Sequence, residues 1–138
     1  MQESDEEPGV PGALRIAATV MAVEAAAVLA FAIVELFKID SDRIGLGVTN
    51  AVFFCLYAVG LAFCARGLVR LQSWSRGPAM LGQLIQLGVA WSFRGGDTSW
   101  IALVLAAPAL VVVAILLSPV TTEALYGVSS DPADEQRP

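Results

Sequence analysis

Four long runs of apolar residues, each broken by only a few polar positions, occupy most of the chain. They run from about Ala13 to Phe37, Ile44 to Ala65, Pro78 to Arg94 and Trp100 to Leu117. Runs of this length approach the ~20 apolar residues that a helix needs to cross a hydrocarbon core of about 30 Å. Short polar stretches separate them: Lys38 to Arg43, Arg66 to Gly77 and Gly95 to Ser99. A helix satisfies its own backbone hydrogen bonds, which lipid cannot do for it. The pattern predicts an all-α membrane protein of four transmembrane helices in an up-down-up-down bundle. Residues 1–12 and 119–138, acidic and rich in polar and turn-forming residues, read as disordered tails on either side of a transmembrane domain over 13–118.

The third run organises the rest. Pro78 suits the first helical position, where no N–H is needed. Trp74 and Arg76 precede it as boundary residues, and Trp91 falls near its other end. Its 17 residues span only about 24 Å, so Arg94 would have to snorkel outward. Ala79, Gln83, Gln86, Ala90 and Arg94 recur at helical spacing and share one face. Lipid would leave two amides unsatisfied, so that face should meet other helices. The first helix is crowded with alanines, which permit close approach, and carries Glu24 near mid-depth and Glu35 near its far end. In the second, Asn50, Phe53, Tyr57, Gly60 and Cys64 align as a candidate contact face. The fourth has no charge, and Pro108 should kink it.

Composition agrees with the pattern. Of 138 residues, 57% are hydrophobic, and the mean hydropathy is +0.70. The net charge of −5 divides into −7 on the two tails and +2 between them. No basic patch points to nucleic acid. Histidine is absent, which removes the commonest metal ligand and proton shuttle. Cys55 and Cys64 lie nine residues apart on one helix, on opposite sides, and cannot bridge. Serines and threonines without histidine, and Gly95-Gly96 without a phosphate-loop pattern, argue against an enzyme. No metal and no cofactor is expected. The acidic start and long first run suit an uncleaved signal anchor better than a cleaved leader.

Three groups of residues carry the candidate chemistry. Glu24, Gln83 and Gln86 reach similar depths and form a candidate intramembrane polar site. An acid at the bilayer centre costs about 2.5–3.5 kcal/mol on insertion scales, so it needs a partner or a task. Glu24 is therefore expected to be buried among helices, uncharged at pH 7, and hydrogen-bonded to Gln83, Gln86 or Tyr57. Glu35, Arg43 and Arg94 form a candidate ion pair at the outer boundary. Arg66, Arg70 and Arg76 form a basic inner loop suited to lipid headgroups. Arg15, Arg66, Arg70 and Arg76 on one side, against Lys38, Arg43 and Arg94 on the other, place both termini in the cytoplasm.

The segment Arg76-Gly-Pro78, followed by Gln83-Leu84, Gln86-Leu87-Gly88, Trp100 and Ser118-Pro119, resembles small four-helix integral membrane proteins of actinobacteria. The likeness covers about residues 66–120 and implies the four-helix fold and no particular activity. The leading expectation is a structural or accessory subunit of the plasma membrane, in contact with lipid and with another membrane protein or a second copy of itself. The alternative is a small multidrug-type transporter using Glu24 as a proton or cation site. That group similarly places one glutamate in the middle of helix one, but its accompanying aromatic residues are not recognisable here.

Overall fold

The computed structural model describes residues 9–38 and 44–127, all of its regular structure helical. α1 is Gly12–Phe37, α2 Ile44–Val69, α3 Arg76–Ser92, α4 Ser99–Leu117 and α5 Pro119–Tyr126, with single 3-10 turns at Ser73–Ser75 and Gly96–Thr98. α1, α2 and α4 are long and apolar enough to cross a membrane. α3, at 17 residues, is shorter and carries the two glutamines. The helices form a ring in which α1 packs on α2 and α4, and α3 on α2 and α4. α1 and α3 face each other diagonally across the middle.

Alanines set the α1–α2 contact. Ala18, Ala25 and Ala32 on α1, and Ala51, Ala58 and Ala65 on α2, recur every seven residues and are all buried. A seven-residue repeat keeps a seam facing its partner through a left-handed supercoil. Methyl-sized side chains let two backbones approach closely, gaining dispersion contacts where lipid provides no hydrophobic drive. This repeat corrects the expected α2 face. Asn50, Phe53 and Gly60 are exposed, Tyr57 is half-buried and Cys64 alone is buried. The small residues decide which side turns inward, because only they permit the close pair.

The core gathers at the end that holds the start of α1. There Leu14, Ala17, Met21, Leu61, Leu68, Ala79, Val112, Leu116 and Leu125 pack together. α2 ends in a six-to-one turn in which the Gln72 N–H reaches the Gly67 carbonyl at 2.9 Å. Leu71 takes the left-handed conformation there, φ 54°. The chain then doubles back so tightly that a Cβ on Gly67 would sit 2.6 Å from the Ser75 Cβ.

Several boundaries differ from expectation. α2 runs past Ala65 to Val69, and α3 starts at Arg76, so Pro78 is its third residue and not its first, a place in the first turn where a missing N–H still costs no helix bond. Arg94 lies beyond the end of α3 and is exposed, so it does not continue the face of Ala79, Gln83, Gln86 and Ala90, which are buried. Residues 119–126, expected in a disordered tail, form α5. Ser118 caps it, its Oγ accepting from the Thr121 N–H at 3.4 Å. Pro119 takes the first position, and Gly127 ends it in the left-handed region, φ 59°. Thr121 and Leu125, four residues apart, turn inward onto the core. Residues 1–8 and 128–138 lie outside the described residues.

Candidate functional site

Glu24 sits on the inward face of α1, in step with Leu14, Ala17, Met21 and Ala25 at spacings of three and four. That face points at α3, whose buried side carries Gln83 and Gln86, one turn apart. The two amides bracket the carboxyl group. Gln83 Nε2 donates to Glu24 Oε2 at 2.9 Å, and Gln86 Nε2 donates to Glu24 Oε1 at 2.9 Å. Gln86 Nε2 also donates to the Leu105 carbonyl of α4 at 3.1 Å. One cluster therefore ties three helices. α4 continues through Pro108, which has no N–H to offer the Val104 carbonyl.

Burial is nearly complete. Gln83 is fully buried, and Glu24 and Gln86 retain 8% and 7% exposure. Among the described residues no Lys or Arg pairs with Glu24. Gln83 Oε1 is buried with no hydrogen-bond partner. A buried acceptor left unmade is costly, and this oxygen is an open valence of the cluster. Tyr57 does not join it: its hydroxyl donates instead to the Gly82 carbonyl at 2.8 Å, a second polar tie, between α2 and α3. A cleft of about 460 Å³ between α1 and α4 reaches Glu24 and Gln86 past Val20, Val23, Val104 and Pro108.

The other groups separate. Arg43 lies outside the described residues. Glu35 is half-buried and forms no ion pair with Arg94, whose guanidinium lies over the Trp91 ring, 3.5 Å from its centroid. Arg76 lies over the Tyr126 ring of α5 at 5.6 Å, while Arg66 and Arg70 border a groove between α1 and α2. The Leu105 carbonyl, a full member of the cluster, escaped sequence analysis because backbone acceptors leave no residue signature. Among the described residues no group of three or more His, Cys, Asp or Glu could hold a metal ion.

These features define a helical protein with three helices apolar enough to cross a membrane and a buried polar cluster between them. The chain matches no family model, no curated protein and no solved structure.

Proposed function

We propose that the chain is a four-span integral membrane protein, with both termini on the cytoplasmic side of the plasma membrane, acting as a structural or accessory subunit. Support for the fourth span comes from α3 itself. At about 25 Å it nearly matches the hydrocarbon core. Its outer face shows Leu81, Leu84, Ile85 and Val89, all exposed, while its amides turn inward. Large apolar side chains also face outward on the other helices, among them Val23, Leu46, Leu56 and Leu103. A water-exposed surface would not tolerate such a patch. Trp74 near one end of the bundle and Trp91 and Trp100 near the other are exposed, as interface anchors are. Arg15, Arg66, Arg70 and Arg76 gather at the end of the termini and support its inward orientation.

The observation that carries the accessory reading is the engagement of both Glu24 oxygens by amides of the same chain. A carboxyl so bracketed joins α1, α3 and α4 and serves cohesion. Gentle detergent extraction, affinity purification and quantitative mass spectrometry are expected to recover a stoichiometric partner, equally with Glu24→Gln. The cleft that reaches Glu24 favours the second reading, multidrug-type transport with Glu24 as the proton or cation site. Proton-coupled efflux by purified protein in liposomes, abolished by Glu24→Gln with the fold intact, would establish transport and overturn the accessory role.

A further inference from the structure

A groove of about 760 Å³ runs along the outer side of the α1–α2 pair. Its walls are Ala22, Ala26, Leu29, Ala58, Ala62 and neighbours of similar size, so it is almost wholly apolar. At one end Arg66 and Arg70 border it. Arg15 joins them by spacing, since Arg15, Thr19, Ala22 and Ala26 recur on one face of α1 at intervals of four, three and four. Along α1 the lining extends from Ala18 to Leu29, about 16 Å at 1.5 Å per residue. That is close to half of a ~30 Å hydrocarbon core, the depth of one leaflet.

Among the described residues none of the three arginines has an acidic partner, and Glu123, the acid described at that end, lies on α5 beside α4. Arg66 lies in the last turn of α2 and Arg70 just past its end, the Arg70 N–H donating to the Arg66 carbonyl at 3.1 Å, a spacing at which like charges repel. An anion between them removes that repulsion, and a guanidinium fork matches the two oxygens of a phosphate group. An apolar slot one leaflet deep, capped by paired guanidiniums, fits one molecular class.

We propose that this groove binds an anionic glycerophospholipid, its phosphate held by Arg66 and Arg70 with Arg15 nearby, and an acyl chain lying along the alanines. The inference rests on the membrane placement proposed above and adds a specific ligand to it. A partner helix would fill the apolar part equally well, but it would leave the cations unanswered.

The test uses the full chain in mild detergent, titrated with phosphatidylglycerol or phosphatidylcholine of identical acyl chains and read by native mass spectrometry. One phosphatidylglycerol is expected to remain bound, about tenfold more tightly than phosphatidylcholine. Arg66→Gln with Arg70→Gln should abolish the preference. Ala26→Leu with Ala62→Leu, which fills the groove and keeps the charge, should weaken retention of both lipids. Equal retention of the two lipids by the unaltered chain would overturn the proposal. So would full retention by the groove-filled variant, which would mean charge attraction alone, or a dimer that the groove-filled variant alone disrupts. Each chain is first checked for resistance to alkaline carbonate extraction from membranes. Release there would overturn the membrane placement itself, whereas firm insertion without headgroup preference would overturn the lipid site alone.

Discussion

Glu24 bonded to Gln83 and Gln86 is a polar contact buried among largely apolar side chains. Interhelical hydrogen bonds in membranes average about 0.6 kcal/mol in double-mutant cycles, so the cluster is a modest fastener. Glu24→Gln keeps one acceptor and gains a donor, for which Gln83 Oε1, buried without a partner, is available after an amide flip. Glu24→Gln should therefore unfold in mixed micelles within about 0.5 kcal/mol of the unaltered protein. Glu24→Leu strands two buried donors and should cost about 1–3 kcal/mol. An unchanged unfolding midpoint for Glu24→Leu would refute the fastening role. Gly67 is a second single-residue constraint. With the Ser75 Cβ 2.6 Å from where its own Cβ would lie, Gly67→Ala must displace the turn after α2. A loss of about 1–3 kcal/mol is expected despite alanine's better helix propensity, measured as a lowered Tm in detergent.

The shortest helix is the one whose existence depends most on its surroundings. Eight residues are too few for a stable helix alone in water. α5 persists through its two caps and the burial of Thr121 and Leu125. Thr121 Oγ1 also donates to the Ile115 carbonyl at 2.6 Å, which accepts from the Ser118 N–H and Oγ as well, at 3.1 and 2.7 Å. Ser118→Ala removes the cap and should destabilise α5 by about 1 kcal/mol. Hydrogen exchange should then show faster amide exchange across 119–126 while α1 and α2 keep their protection. Equal exchange rates in both proteins would show that packing alone holds α5. The alanine seam is sensitive in the opposite sense: Ala58→Leu puts three more carbons into a buried contact and should force α1 and α2 apart, costing about 1–3 kcal/mol.

On the scale of the molecule, the four spans proposed above would put the Ser73 turn on the side where α1 begins and the Asp97 turn on the other. Single cysteines at Ser73 and Asp97, in a background lacking Cys55 and Cys64, report this directly. An impermeant maleimide added to intact cells should label position 97 and leave position 73 unlabelled until the cells are opened. Labelling of both from outside would show that α3 does not cross. The reverse pattern would invert the orientation that the arginines support.

Much of this organisation is local and therefore legible in the chain. Long apolar runs bounded by Gly, Pro, Ser and charge specify helices whatever surrounds them, and their ends fall within a few residues of expectation, apart from the longer end of α2. Helical spacing alone puts Gln83 beside Gln86 on the face of Ala79 and Ala90, and that face is the buried one. The partner-dependent features were not legible. Which side of α2 is buried turns on a seven-residue alanine seam that has meaning only opposite the matching seam of α1. The fate of Arg94 was settled by where α3 ends and where Trp91 then stands. α5 needed α4 to pack on and a buried cluster, with Leu14, Leu68 and Leu116, for Leu125 to join. Propensity and polarity act within a turn or two of one helix, and the sequence determines those. Close packing, backbone carbonyls and the choice among partners arise only when separate helices meet, and the tertiary structure alone decides them.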